Sequence, residues 1–205
     1  MKMKRLIGVL AVAGLTVPGV ALATNGYFSH GYGMKAKGMA GVGIALPQDA
    51  MAAATNPAGM AFVGDRLDVG VDWFRPIRDS ELTPPSPAAG DYDGSDTKNF
   101  LVPEFGYNKM LGWNMALGVS VYGNGGMNSG YNNGIPLFNA GTGSSSGIDM
   151  MQLFIAPTFA YKITKDHSVG ISLNLAYQRF KAYGLQSFTA PGFSVSPTDI
   201  TNNGY

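Results

Sequence analysis

Two aspartates, Asp68 and Asp72, lie four residues apart in a segment that alternates apolar and polar residues, so both project from one face. Paired carboxylates at that spacing can perform acid–base chemistry. They can equally bond to backbone amides or pair with arginine, as carboxylates withdrawn from water must, and that is the expectation here. His30 and His167 have no Asp, Glu or His at ligand spacing, and the chain has no cysteine. No metal site, thiolate chemistry or disulfide is therefore expected. The glycine-rich stretch 123–130 lacks the Lys-Ser/Thr and following helix of a phosphate loop, and no Ser–His–Asp arrangement is apparent. No catalytic residue, metal or cofactor is assigned, and the chain is not read as an enzyme.

The segments that carry these residues set the architecture. Trp113 to Gly123 places Trp113, Met115, Leu117, Val119 and Val121 on one parity, and Asn114, Ala116, Gly118, Ser120 and Tyr122 on the other. That is a strand with one greasy face and one small or polar face. Roughly ten residues is the length a tilted strand needs to cross a bilayer's hydrocarbon layer. The pattern recurs in Arg66–Arg75, Phe100–Lys109, Met150–Lys162 and Ser168–Tyr183. Connections alternate in length: 77–97 long, 110–112 short, 123–148 long, 164–167 short and 184 onward long. Outer-membrane barrels have short periplasmic turns and long external loops. Trp73, Trp113, Tyr107, Tyr161 and Tyr177 fall near strand ends, where aromatic girdles belong. A soluble β-sandwich would also alternate, but its loops would not sort by length.

Composition agrees. Charged residues make up 13 % of the 205 residues and glycines number 29, against about 25 % charge in an ordinary soluble domain. No run approaches the ~18 apolar residues of a membrane helix. Residues 1–23 read as a cleavable signal peptide, with basic Lys2, Lys4 and Arg5, an apolar core from Leu6 to Val17 and Ala21-Leu22-Ala23 before the cut. Loss of three positive charges leaves no basic stripe, so nucleic acid is excluded as a partner. Residues 24–64 are rich in Gly, Ala and Met without period-two patterning. They are expected to form a compact plug, or hatch, with a short helix at Pro47–Ala54 ended by Asn56-Pro57. Met34, Met39, Met51 and Met60 are expected in its core. Residues 65–205 then form about five strands of a transmembrane antiparallel β-barrel. Five strands do not close such a barrel, so the chain reads as the amino-terminal part of a longer one.

The order of motifs is specific. A signal peptide is followed by Gly26-Tyr27-Phe28, a Gly/Ala segment with Asn56-Pro57-Ala58, Asp65-Arg66, and strands containing Val102-Pro103 and Gly112-Trp113. Over essentially its whole length the chain resembles the FadL family of outer-membrane transporters of long-chain fatty acids and aromatic hydrocarbons. The resemblance implies an all-β fold, a fourteen-stranded barrel with an amino-terminal hatch. Hydrophobic molecules would enter through external loops, bind near the mature amino terminus and leave sideways through a kinked strand. By position, Tyr27 and Phe28 would lie at the inner site, Asn56, Pro57 and Ala58 in the hatch, and Gly125 and Gly126 at the lateral gate.

Parity adds Phe74, Tyr122, Phe154 and Phe180 as inward rings that could line an apolar-ligand site or simply pack on the hatch. The expected partners are hydrophobic small molecules and outer-membrane lipid, met by a monomeric barrel. A structural or adhesive surface protein working through its long external loops is the alternative.

Overall fold

The computed structural model describes residues 28–189 and 199–204. The expected signal peptide at 1–23, and Tyr27 of the expected inner site, lie outside the described residues. Five strands form the main wall: β1 (Arg66–Phe74), β4 (Phe100–Met110), β5 (Met115–Tyr131), β6 (Ser146–Lys162) and β8 (Leu175–Tyr183). They pair antiparallel in the order β1-β4-β5-β6-β8, with β9 (Asp199–Gly204) beyond β8 and β7 (Ser168–Ser172) on β6. Two short strands, β2 (Asp79–Leu82) and β3 (Gly90–Asp93), make a separate hairpin within the first long connection. Among the described residues no helix is long and apolar enough to cross a membrane. The fold is a partial transmembrane-type antiparallel barrel.

Side-chain alternation sorts the two faces as the sequence requires. Leu67, Val69, Val71 and Trp73 on β1, Leu101, Phe105 and Tyr107 on β4, Leu117 on β5, and Ile155, Phe159 and Tyr161 on β6 are all exposed. They project from the outer face, where lipid replaces water as the favourable neighbour of apolar groups. The inner face carries Asn108, Ala116, Ser120, Ala156, Thr158 and Ala160, all buried. Long connections (75–99, 132–145) leave one end of the sheet and short turns (111–114, 163–167) leave the other.

Several strand ends differ from the sequence reading. β5 and β6 have 17 residues each and pair from Met115↔Tyr161 to Tyr131↔Ser146, taking in 123–131 and 146–148 of the expected loop 123–148. At about 3.3 Å per residue each is roughly 55 Å long, and at the usual tilt it rises about 40 Å, well beyond the ~25 Å apolar band of such barrels. Above that band both faces meet water, and the Gly-, Asn- and Ser-rich composition no longer marks a loop. Trp113 lies in the 111–114 turn, and the strand begins at Met115. The expected strand 168–183 is interrupted between β7 and β8. Opposite the break stands Pro157, whose carbonyl accepts from Leu173 N–H at 3.0 Å but which has no N–H to return. Residues 199–204 pair with β8 although the segment from 184 onward reads as a loop.

Residues 28–64 lie against the inner face. A short helix, α1 (Met34–Gly38), is followed by two 3-10 turns, Ala50–Ala54 and Pro57–Phe62. The first is capped by Asp49, whose carboxylate accepts from Met51 N–H at 3.0 Å. Asn56-Pro57 therefore does more than end that turn. Asn56 caps the second by accepting from Ala58 N–H, and Pro57 occupies its first position, where a missing N–H costs nothing. Glycines on the wall admit these turns. A Cβ at Gly106 would lie 2.8 Å from the backbone of Ala50 and one at Gly118 2.6 Å from Met60, while one at Gly170 would collide with Pro57 and Ala58.

Candidate functional site

The inner aromatic cluster is built on one rung of the sheet. Tyr122 on β5 stands opposite Phe154 on β6, and their rings stack with centroids 5.7 Å apart. Tyr32, from the Gly31-Tyr32-Gly33 turn, leans on Tyr122 at 4.7 Å. Met51 and Ala156 complete the packing. Burial pushes the Tyr32 phenol above its ordinary value, and its hydroxyl bonds to Asn124 Oδ1.

Of the inward rings named from sequence, only Tyr122 and Phe154 come together. Phe74 packs on Phe100 at 6.3 Å toward the long-loop end, four strand positions beyond Gly70, the residue opposite Glu104. Phe180 stands opposite Met150, four residues beyond the Ala176 that faces Phe154, so it too is outside the cluster. Phe28 forms an antiparallel bridge with Gly125. Tyr32 was not among the candidates, although an aromatic between two glycines in the amino-terminal segment is a signal in its own right.

The carboxylates are engaged. Asp68 binds Arg66 through both oxygens, each at 2.7 Å, and accepts from Ala50 N–H at 2.9 Å. Asp72 pairs with Lys37 at 3.0 Å. Glu104, absent from the sequence candidates, holds the same lysine more closely, at 2.6 Å, and accepts from Gly33 N–H at 3.3 Å. Its side chain is 4 % exposed and that of Lys37 17 %. Burial works to lower the Lys37 pKa, but the bonds and charges of Glu104 and Asp72 outweigh it and hold the ammonium above its usual value. At Asp49 burial prevails instead, raising the carboxyl above its ordinary value despite its bond from Met51.

Other sequence features resolve plainly. His30 is exposed and His167 closes the 163–167 turn with Thr164. No group of three His, Asp or Glu gathers for a metal among the described residues. Met51 and Met60 are buried as expected, but Met34 is 60 % exposed and Met39 is exposed too, so the four do not form one core.

The wall changes at this cluster. β4 pairs with β5 from Met110↔Ala116 only as far as Glu104↔Tyr122. The next residue of β4 is Pro103, which has no N–H, and β5 then carries a bulge between Gly123 and Gly125. Beyond it β5 stays with β6 but leaves β4, and Phe28 takes the vacated side at Gly125. Asn124 is the extra residue, and it turns toward Tyr32. A Cβ at Gly126 would meet only Met150 O, at 3.6 Å. The fork between β4 and β5, the amino-terminal bridge that covers it and the aromatic cluster beside it make one contiguous site.

The model of a family described as outer membrane protein transport protein (OMPP1/FadL/TodX) matches residues 14–202. Among solved structures, a crystal structure of a Pseudomonas aeruginosa FadL homologue is similar to the chain, with a TM-score of 0.59 and 16 % identity. The likeness covers 87 % of this chain and 47 % of that one, so the chain spans about half the length of the structure it matches. At this identity the likeness bears on the fold alone. No curated protein matches the chain.

Proposed function

As the chain belongs to the OMPP1/FadL/TodX family of outer membrane transport proteins, we propose that it serves passive uptake of hydrophobic compounds, long-chain fatty acids or aromatic hydrocarbons, across the outer membrane. In this reading residues 1–23 direct export and are removed. Residues 24–64 are the hatch of a monomeric barrel. Cargo entering from the long-loop end reaches the cluster at Tyr32, Tyr122 and Phe154 and leaves sideways between β4 and β5 into lipid. Phe28, Gly125 and Gly126 line that exit. The steps are binding and gating, with no bond chemistry and no cofactor.

The observation that carries this reading is the fork itself. A closed barrel gains from every rung, yet here β4 and β5 give up pairing beside an aromatic cluster, at the level where outer-face residues are apolar. The thermodynamics suit such cargo. Each methylene moved out of water contributes about 0.8 kcal/mol, so a long alkyl chain binds without a charged anchor.

Uptake of labelled oleate and labelled toluene by cells carrying the protein tests it. Gly126→Trp, whose ring would stand on the outer face of β5 across the mouth of the fork, is expected to cut uptake at least about tenfold, the scale of one lost contact of about 1.4 kcal/mol. Unchanged uptake of both compounds would remove the lateral exit.

A further inference from the structure

Lys37 is the only residue of 28–46 whose side chain makes an ion pair with the wall among the described residues, and it makes two. Its partners sit on neighbouring strands, Asp72 on β1 and Glu104 on β4. Glu104 is also the last residue of β4 that pairs with β5. One ammonium thus ties the amino-terminal hook to the strand position where the fork begins. The same carboxylate accepts from Gly33 N–H, next to the Tyr32 that bonds Asn124 in the bulge. We propose that Lys37 and Glu104 are positioning residues, a charge-dependent catch that seats residues 28–40 over the fork, Asp72 being the weaker second hold. This rests on the lateral-exit reading for its purpose but not for its existence.

The groups facing Lys37 are Asp72 from β1 and Glu104 from β4, with Asp49 near the adjoining Gly33. Neither carboxylate has another cation in hydrogen-bond reach among the described residues. Glu104 Oε2 has no hydrogen-bond partner there. Losing the ammonium therefore leaves Glu104 buried on the wall without its counter-ion, which favours departure of residues 28–40 so that water can reach the carboxylate. The effect is local, because residues 49–62 are held by separate contacts.

The test uses the natural absence of cysteine. Ser29→Cys reports on the hook and Thr55→Cys on the docked turns, each labelled by a charged maleimide in outer-membrane vesicles that carry the protein. Lys37→Met and Glu104→Gln are each expected to raise labelling at Ser29→Cys at least about tenfold, the scale of one hydrogen bond to a charged group, with Thr55→Cys unchanged. Lys37→Arg, which keeps the charge, is expected to label at the native rate. Equal labelling with and without Lys37, or a parallel rise at Thr55→Cys, would overturn the catch. Oleate uptake is measured in the same vesicles. If the hook is freed as expected while uptake stays native, the catch stands and the lateral-exit reading fails.

Discussion

The two halves of the amino-terminal segment touch the same wall by different physics. Residues 49–62 dock by burial: Ala50 to Ala53 and Gly59 to Ala61 are buried. Wall side chains also bind their backbone, through Ser120 to Ala50 O at 2.8 Å, Asn108 to Met60 O at 3.0 Å and Ser168 to Ala58 O at 2.9 Å. Residues 28–46 are held by a lysine, a tyrosine, the Gly33 N–H and a single bridge, and Ala36 is their only buried side chain. Apolar close packing weakens across the whole contact at once, because a gap of an ångström already forfeits up to about half of each pair's attraction. Polar tethers can be broken one at a time. A segment built this way has an anchored part and a part that can be released.

Substitutions that fill the anchor should do the most damage. Gly170→Leu drives a side chain into the backbone of Pro57 and Ala58. It should cost about 3 kcal/mol or more, the upper end for overpacking, seen as loss of the folded barrel on unheated gels or a lower urea midpoint. Tyr122→Ala removes the ring between Tyr32 and Phe154 and should cost about 3 kcal/mol. Tyr122→Phe should retain nearly all of that, since stacking rather than a hydroxyl bond places the ring. If Tyr122→Ala were silent, the cluster would not be part of the hook's seating.

Smaller effects sharpen the contrast at its boundary. Asp49 caps the first anchored turn but is buried as a charge. Asp49→Ala should lose about 1 kcal/mol with the cap, whereas Asp49→Asn keeps an acceptor and sheds the charge. Because burial raises its folded pKa, Asp49 contributes most favourably below its unfolded value, and that contribution is lost as pH rises through the folded value. Asp49→Asn should therefore be at least as stable as the native protein at neutral pH. The difference should vanish in acid, where both side chains are neutral. Paired urea titrations at the two pH values check this. Gly126→Ala should be nearly neutral, within ~0.5 kcal/mol, since its methyl meets a single carbonyl at ordinary contact distance.

The wall was legible because lipid on one side and a lumen on the other impose a strict alternation on Leu67 to Trp73 or Phe105 and Tyr107. The upper parts of β5 and β6 were not, because water on both faces imposes none. Asp68's engagement with arginine and with the backbone of Ala50 followed from the cost of a buried charge. Glu104 and Tyr32 escaped notice for a different reason. Their roles depend on which residue of 28–64 reaches which rung, and that register is set by glycine clearances distributed over β4, β5 and β7. The kink at Gly125 came from resemblance, whereas its physical origin, Pro103 beside a bulge, lay in two strands read separately.

The central claim is that movement of the hook away from the fork opens the path into the membrane. Phe28→Cys with Gly125→Cys places the chain's only two cysteines on directly bridged residues, within the reach of a disulfide. Labelled-oleate uptake should fall to the level of cells lacking the protein when that bond is oxidised, and return on reduction. Equal uptake in the oxidised and reduced states would contradict the account.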